Sequence, residues 1–201
     1  MPKVLIDIKG QDYRRPDHDI QPFFVTRWSP RAMTGEEIGR EDLMRMFEAA
    51  RWAMSSFNNQ HWRFLYAFRN TPHWDVFFDL LTPGNRSWCV NAGALIVVVS
   101  KATFDHNSKP ARTHSYDTGA AWYSFALQGV MMGLVVHGMQ GFDYDNANAK
   151  LGVPDGYQVE AMAAVGRPGD PDDLPLTLQK NEQPSQRKKV EEFAFEGGFG
   201  K

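Results

Sequence analysis

The 201-residue chain carries 22 Lys plus Arg against 24 Asp plus Glu and is 42% apolar, which fits one globular domain with a single core. The near balance of charge excludes the broad positive field that nucleic acid or an anionic membrane would require, so we expect a small-molecule or protein partner. The single cysteine, Cys89, excludes an intramolecular disulfide and a multi-cysteine metal site, and it favours a reducing cytoplasm.

The first segment of the chain is polar and irregular. A short Val-Leu-Ile run is broken by Asp7 and Lys9, so it lacks the apolar core of a signal peptide, and no later stretch is long enough to span a membrane. We therefore expect a soluble, cytoplasmic protein without membrane or nucleic-acid partners. Composition predicts an N-terminal arm at residues 1–22, a compact domain at 23–168 and, where Pro, Asp and Gln become frequent, a C-terminal arm at 169–201.

Three polar side chains alternate near the start of the domain. Alternation in an extended segment sends Arg27, Ser29 and Arg31 to the same side. Two guanidinium groups and a hydroxyl suit a phosphate, because the arginine fork matches phosphate oxygens. Two arginines beside a proline are also typical of solvated surface, and the residues alone leave both interpretations open.

An amphipathic helix follows and ends in a polar loop. Thr34 and Glu37 have the spacing of a capping box, but Gly39 favours a helix start near Glu41. The apolar stripe expected to face the core is Leu43, Met46, Phe47, Ala50 and Met54. The loop contains Ser55, Ser56, Asn58, Asn59 and Gln60. These side chains either cap a turn or offer neutral donors and acceptors to a planar heterocycle, and Trp62–Phe68 then alternates as a strand.

The middle of the chain predicts further helices and strands. A second helix is predicted over His73–Leu81, stopped by Pro83-Gly84, with Asn85 directly after it. The β-branched run Ala94–Val99 predicts a buried strand. Asp117 is placed to cap a long helix. The residues that share roughly one face of that helix are Ala120, Leu127, Met131 and Leu134.

Two glycines late in the domain predict a close approach of the backbone. A short strand, Leu134–His137, leads into Gly138-Met139-Gln140-Gly141, where the glycines admit a ligand or simply form a turn. A helix over Asp143–Leu151 and a strand over Tyr157–Val165 follow. The basic triplet Arg187-Lys188-Lys189 is either a solvated face or additional positive charge for an anion site.

Taken in this order, the motifs resemble those of the nitroreductase family of FMN-dependent, NAD(P)H-using flavoproteins. The resemblance is carried by Arg27-Trp-Ser-Pro-Arg31, by Glu48 to Phe64, by Gly84-Asn85, by Asp117 with its Gly-Ala-Ala helix start, by Gly138 to Asp143 and by Arg187. It implies an α+β fold in which helices wrap a mixed, largely antiparallel sheet. It also implies an intertwined homodimer with two FMN molecules at the subunit interface.

The resemblance further implies the residues of the site. Arg27, Ser29 and Arg31 would hold the phosphate and ribityl chain of FMN and reach toward its pyrimidine ring. Ser55, Ser56 and Asn58 would come from the partner subunit. Asn85 would hydrogen-bond the flavin ring, the backbone of Met139–Gly141 would lie beside N5, and Arg187 with Lys189 would add charge at the phosphate. The full predicted cofactor-binding set is Arg27, Trp28, Ser29, Arg31, Ser55, Ser56, Asn58, Gln60, Asn85, Met139, Gln140, Gly141, Arg187 and Lys189, with no metal site and no catalytic side chain.

Two residues depart from the family pattern inside the polar-loop motif. Met54 and His61 stand where the family usually has proline. Without both prolines the loop loses rigidity, so other contacts must hold it or its geometry beside the flavin differs. We expect His61 to be a hydrogen-bonded structural histidine, with titration near the site as the alternative.

The implied activity is a ping-pong transfer of electrons. FMN would accept a hydride from NADH or NADPH at N5 and reduce a nitroaromatic, a quinone or a similar electron-poor substrate. Arg31 is the candidate for the positive charge that stabilises reduced flavin near N1 and O2. Two alternatives stay open, namely a specialised flavin enzyme of the same fold, such as a reductive dehalogenase or a dehydrogenase, and a non-catalytic flavin-binding store or sensor.

Overall fold

A computed structural model describes residues 10–200 of the protein. Its centre is a four-stranded sheet in the order β1-β2-β4-β3, and every pairing between the described strands is antiparallel. The strands are β1 (Trp62–Phe68), β2 (Ala94–Lys101), β3 (Val135–Met139) and β4 (Tyr157–Gly166). The predicted strands are therefore confirmed in number and position to within a few residues.

Within residues 10–200, eight α-helices accompany the sheet, together with short 3-10 turns. They are α1 (Gly10–Tyr13), α2 (Phe23–Thr26), α3 (Arg40–Arg51), α4 (Trp74–Asp79), α5 (Pro83–Cys89), α6 (His114–Met131), α7 (Tyr144–Lys150) and α8 (Leu176–Gln179). The predicted α+β fold is confirmed, whereas the homodimer stays a prediction. None of the helices in the described part of the chain has both the length and the apolarity to cross a bilayer.

Strand β2 is buried on both faces, which explains its uninterrupted apolar sequence. Leu95, Val97 and Val99 belong to one hydrophobic cluster, which includes residues of α4 and α5. Ala94 and Ile96 point the other way, into a second cluster with α3 and α6. A strand covered on both faces needs apolar residues at every position rather than at alternate ones.

Helices α3 and α6 pack closely over the second face. Leu43 and Met46 of α3 are buried against Phe125 of α6. Gly129 of α6 permits the approach, because a Cβ at this position would lie 2.6 Å from Met46 Cε and 2.5 Å from Val136 Cγ2. A side chain at this position would displace Met46 or Val136.

Two predictions about helix ends are wrong. Met54 does not extend the core stripe of α3, because the helix ends at Arg51 and Met54 is 76% exposed. Pro83-Gly84 does not stop the preceding helix, because Pro83 lies in the first turn of α5 and Asn85 lies inside that helix. Proline suits a first turn, where its missing N–H would have had no intrahelical acceptor.

Asp117 does not cap α6, contrary to the sequence-based expectation. The N-cap is Thr113, and Asp117 is buried one turn inside the helix. Its Oδ2 accepts a hydrogen bond from the backbone N–H of Ser56 at 2.9 Å. The carboxylate therefore caps the polar loop that follows α3 rather than its own helix.

Both arms pack against the rest of the chain. Arg14 in the N-terminal arm is buried, and Leu174 of the C-terminal arm belongs to the first hydrophobic cluster. Glu182 and Pro184 are also buried. The domain boundaries at residues 22 and 168 stay a prediction.

Candidate functional site

The first predicted motif lies on an extended segment whose side chains alternate between the interior and the surface. The buried set is Trp28, Pro30 and Ala32, and the partly exposed set is Arg27, Ser29 and Arg31. Arg27 Nη1 donates to Ser29 Oγ at 3.2 Å, so these two polar groups lie together. The segment thus presents two arginines and a hydroxyl on one side, as its alternation predicts.

Arg31 is paired with a buried acid of the C-terminal arm. Its Nη1 lies 3.3 Å from Glu182 Oε2. The backbone N–H groups of Arg31 and Ala32 both donate to Glu182 Oε1, the latter at 3.0 Å. The side chain of Glu182 is fully buried, so a fixed negative charge opposes the charge of Arg31 and ties the arm to this segment.

His137 of β3 holds the same segment from the sheet side. Its Nδ1 donates to the carbonyl oxygen of Pro30 at 2.9 Å, and its ring centroid lies 4.7 Å from that of Trp88. Burial, together with the charges of Arg31 and Arg27, lowers the pKa of His137 to about 4 despite the hydrogen bond to Pro30. The imidazole is therefore neutral at neutral pH and does not add to the positive charge.

A cationic cleft of about 670 Å³ opens beside Arg27. Its lining comes from both arms, from α2 and from α6, and includes Arg14, Arg15, Asp17, His18, Phe24, Arg27, Tyr123, Arg187 and Lys188. Asp17 is the single acid among these described lining residues. Burial lowers the pKa of Arg27, and the charge of Arg187 lowers it further, against the opposing effect of Tyr123. Such an excess of guanidinium groups suits an anionic ligand.

The cleft brings together two predicted residues from opposite ends of the chain. Arg27 and Arg187 both line it. Lys188 lines it as well, whereas Lys189 begins the next turn, where its backbone N–H donates to Glu192 Oε1 at 2.9 Å. Trp28 is buried in the core beside this segment.

The polar loop after α3 has an unusual backbone. Phe57, Asn58 and Gln60 have φ values of 53°, 52° and 52°. The left-handed region is uncommon for residues other than glycine, and least expected for a bulky side chain such as Phe57. The backbone N–H of Gln60 donates to Ser55 Oγ at 3.0 Å, and Ser56 is held by Asp117. Conformations of this kind persist only where surrounding contacts fix them, and they are concentrated at functional sites.

His61 anchors the end of this loop and is confirmed as a hydrogen-bonded structural histidine. It is fully buried, and its Nδ1 lies 2.8 Å from the carbonyl oxygen of Lys101, which places the proton on Nδ1. Within the described part of the chain, Nε2 has no hydrogen-bond partner, and Asp117 Oδ2 lies 3.8 Å away. This buried hydrogen bond holds the end of the loop.

The polar loop and the cationic cleft are separate within one chain. The loop contacts the N-terminal end of α6 through Asp117, whereas Tyr123, further along α6, lines the cleft. Among the described residues that line the cleft, Ser55, Ser56, Asn58 and Gln60 are absent. Their assignment to the flavin of a partner subunit stays a prediction.

Asn85 and the end of β3 form a third group of predicted residues. Asn85 Nδ2 donates to the carbonyl oxygen of Gly141 at 2.9 Å, and Asn85 Oδ1 accepts from Trp88 Nε1 at 3.3 Å. A Cβ on Gly141 would lie 2.6 Å from Asn85 Nδ2, so a side chain here would displace the amide. Asn85 Nδ2 thus holds the loop after Met139, and the bond from Trp88, in the same helix, orients the amide. Met139 is itself buried, while Gln140 is exposed.

Three residues of this region have roles that the sequence does not predict. Arg14 and Glu182 lie in polar arms whose composition is typical of solvated chain, and His137 is simply the end of a predicted strand. Their partners, Ser185, Arg31 and Pro30, are distant in sequence. No local sequence pattern predicts such contacts, so they are seen only in the folded structure.

Comparison with known proteins gives related sequences. The model of the nitroreductase family matches residues 25–72, which include the extended arginine segment and the polar loop. An uncharacterized 15.4 kDa protein in the ask 5' region of Mycolicibacterium smegmatis is 35% identical over 122 residues, which are 60% of this chain and 80% of that protein.

Solved structures share the architecture over nearly the whole chain. An oxidoreductase containing FMN superposes with a TM-score of 0.89 at 41% identity, covering 92% of this chain and 96% of its own. A nitroreductase family protein from Clostridium difficile 630 superposes with a TM-score of 0.65 at 18% identity, covering 86% of this chain and 94% of its own. At this identity the likeness shows the fold alone. The antiparallel sheet and its helical layers form an α+β fold, and the neighbour that shares it at 41% identity is an oxidoreductase. The chain belongs to the nitroreductase family.

Proposed function

We propose that the protein is an FMN-dependent oxidoreductase that takes electrons from NADH or NADPH and passes them to nitroaromatic, quinone or similar electron-poor acceptors. The observation that carries the proposal is the cationic cleft in which Arg27 and Arg187 meet. The relative at 41% identity, an oxidoreductase containing FMN, supports the choice of cofactor.

The residues of the cleft fit the phosphate of FMN. Arginine forks bind phosphate oxygens through paired, charged hydrogen bonds, and Arg27 and Arg187 approach the cleft from different segments. Ser29 Oγ lies within hydrogen-bond distance of Arg27 and adds a neutral donor to the set. The phosphate would therefore bind at Arg27, Ser29 and Arg187.

The protein's own residues would bind and tune the flavin. When bound, FMN supplies the hydride-accepting N5 atom, and this chemistry needs no acid or base from the chain. Asn85 holds the backbone at Gly141 in one position, next to which the ring is proposed to lie. His137, neutral and bonded to Pro30, fixes the segment that carries Arg31.

Arg31 is proposed to stabilise the negative charge of the reduced ring. Glu182 fixes its position but also offsets part of its charge. Arg31→Ala is expected to weaken FMN binding and to lower the reduction potential of the bound flavin. Potentiometric titration with redox dyes measures this, and an unchanged affinity together with an unchanged potential would exclude the assignment.

The site is proposed to be shared between two copies of the chain. Ser55, Ser56 and Asn58 lie apart from the cleft of their own chain, and Phe57 beside them is 80% exposed. A second copy would place these residues against its partner's flavin. Dimer formation and cofactor binding would then depend on each other.

The visible spectrum of the purified protein tests the proposal. We expect a yellow protein that loses its colour under anaerobic NADH or NADPH and regains it when a nitroaromatic or quinone is added. The double variant Arg27→Gln, Arg187→Gln should lose the flavin, whereas Arg40→Gln at the exposed start of α3 should keep it. Colourless protein that takes up no added FMN would rule out the flavin proposal.

The same experiment separates the alternative functions. Yellow protein that neither nicotinamide reduces would favour a store, a sensor or another electron donor. Reduced protein that is reoxidised by a halogenated aromatic but not by nitroaromatics or quinones would favour a dehalogenase. Parallel double-reciprocal plots for donor and acceptor are expected, because a ping-pong enzyme releases the first product before the second substrate binds.

A further inference from the structure

Arg14 of the N-terminal arm lies where three segments meet. It is only 8% exposed. Its Nη1 donates to the carbonyl oxygens of Val25 at 3.0 Å and Arg27 at 2.6 Å, and its Nε donates to that of Ser185 at 2.9 Å. One guanidinium group thus joins the arm, the segment that carries Arg27, and the chain two residues before Arg187.

Ser185 accepts hydrogen bonds from Arg187 as well as from Arg14. Arg187 Nη1 donates to Ser185 Oγ at 2.8 Å and to the Ser185 carbonyl at 3.3 Å, the same oxygen that accepts from Arg14. Gln186 Nε2 also donates to the carbonyl of Tyr13 at 2.6 Å. The arm therefore sets the position of the segment on which Arg187 lies.

The described hydrogen bonds of Arg14 leave its charge unneutralised. All three acceptors are neutral carbonyl oxygens. Burial lowers the pKa of Arg14, and the charges of Arg187 and Arg27 lower it further. Like charges in a partly buried site repel one another, and an anion between them converts repulsion into attraction.

We propose that Arg14 is a positioning residue of the anion site, which fixes the spacing of Arg27 and Arg187 and strengthens the preference of the cleft for a phosphate-bearing flavin. The inference rests on the proposed function and adds the N-terminal arm to the cofactor site. Arg14 lies outside residues 25–72, the part of the chain that the family model matches.

The test compares FMN with riboflavin, which has the same ring but no phosphate. Apo-protein is titrated with each flavin, and quenching of flavin fluorescence gives Kd for the wild type, Arg14→Gln, Arg14→Lys and Arg40→Gln. We expect Arg14→Gln to weaken FMN binding by about 10- to 100-fold, the loss typical of a charged hydrogen bond, with riboflavin changed by less than about threefold. Arg14→Lys keeps the positive charge but lacks the several N–H donors of the guanidinium group. Its Kd for FMN should lie between those of the wild type and Arg14→Gln.

Arg40→Gln is the control. It removes the same charge, but Arg40 is exposed at the start of α3 and is not among the described residues that line the cleft. Its FMN affinity should stay within about threefold of the wild type, as is usual for an exposed charge.

Two outcomes would overturn the inference. If Arg14→Gln binds FMN as tightly as the wild type does, Arg14 has no role in the anion site. If the variant loses affinity for FMN and riboflavin equally, Arg14 supports the fold and not the binding of the phosphate. If circular dichroism shows that Arg14→Gln is unfolded, Arg14→Lys decides, and an unchanged ratio of the two Kd values overturns the inference.

Failure of the proposed function is distinguishable from failure of this inference. If the wild type binds no FMN, the flavin proposal fails. Inorganic phosphate then tests the anion site alone. It is expected to raise the Tm of the wild type and of Arg40→Gln but not that of Arg14→Gln, and equal shifts in all three proteins would overturn the role of Arg14.

Discussion

At the scale of single residues, Glu182 shows how one buried carboxylate serves several donors. It accepts from the backbone N–H groups of Arg31 and Ala32 and pairs with the Arg31 side chain. Glu182→Ala leaves these donors without a partner, so we expect the free energy of unfolding to fall by about 2–4 kcal/mol. Urea unfolding followed by tryptophan fluorescence measures the change.

A surface carboxylate provides the control for Glu182. Glu48 bonds the side chains of Arg51 and Trp52, but all three residues are exposed. Glu48→Ala should change the free energy of unfolding far less, because exposed ion pairs contribute little. Equal losses in the two variants would contradict the assigned role of Glu182.

His137 predicts a dependence of stability on pH. Its pKa is lowered from 6.5 to about 4 in the folded protein, mainly by burial. Between these two pH values the unfolded chain binds a proton that the folded chain does not. The contribution of His137 to the free energy of unfolding is therefore fully present above the unfolded pKa and is lost as the pH drops toward the folded pKa. The loss attributable to this residue should reach about 3 kcal/mol.

The pH effect of His137 is isolated by a variant that does not titrate. His137→Gln keeps a side-chain N–H donor for Pro30, and all other titrating groups stay the same. The difference in unfolding free energy between wild type and variant, measured by urea unfolding at about pH 7.5 and about pH 4.5, should shrink or change sign at the lower pH. A difference that is the same at both values would show that His137 does not titrate in this range.

At the scale of elements, Asp117 couples α6 to the polar loop. Its Oδ2 accepts from the Ser56 N–H, and the loop beyond holds three residues with positive φ. Asp117→Ala removes this acceptor, and we expect local opening of residues 55–60 to become easier by about 1–3 kcal/mol. Hydrogen exchange followed by mass spectrometry should show faster exchange in the loop and unchanged exchange in β1.

Asp143 supplies the matched control for Asp117. It is the N-cap of α7 and accepts from the Asn146 N–H at 2.9 Å, the same kind of bond in a different helix. Asp143→Ala should speed exchange at the start of α7 and leave residues 55–60 protected. Faster exchange in the loop of this variant would mean that general destabilisation, not the loss of the Asp117 bond, explains the effect.

Strands and helices were predictable from sequence where burial follows a simple pattern. β2 is covered on both faces, so its apolar run alone defines it, and the stripe Leu43, Met46 and Ala50 defines the core face of α3. The signals at Pro83 and Asp117 are ambiguous. Proline fits either the first turn of a helix or the turn after one, and a carboxylate caps whichever N–H the fold brings near it.

The candidate site was predictable only as far as its motifs are local. The alternation of Arg27, Ser29 and Arg31 is readable in the sequence, and the family resemblance adds Arg187. Arg14 and Glu182 are not readable, because a charged residue in a polar arm looks solvated until its burial is known. Their roles come from contacts between segments far apart in the chain, which no periodicity encodes.

At the scale of the whole molecule, α6 carries apolar side chains on two opposite sides. Its buried side is Ala121, Phe125, Ala126 and Gly129, and its exposed side includes Tyr116, Tyr123 and Met131. Trp52, Met54 and Phe57 after α3 are exposed as well. A helix that is apolar all round is normally covered all round, and large exposed apolar surfaces mark interaction sites. The proposed second copy of the chain would cover this surface.

Met131→Glu tests the proposed dimer, because the side chain is exposed in the single chain and should tolerate a charge there. In a dimer the carboxylate would be buried in an apolar contact, and we expect the dimer Kd to rise by at least about 100-fold. Analytical ultracentrifugation measures this, and Val90→Glu, an exposed apolar residue at the end of α5, is the control expected to stay dimeric. Since the partner is proposed to supply Ser55, Ser56 and Asn58 to each flavin, the monomeric variant should also lose FMN on dilution. A wild type that sediments as a monomer with FMN bound would contradict the shared site, and a monomeric Met131→Glu that retains FMN would separate cofactor binding from dimer formation.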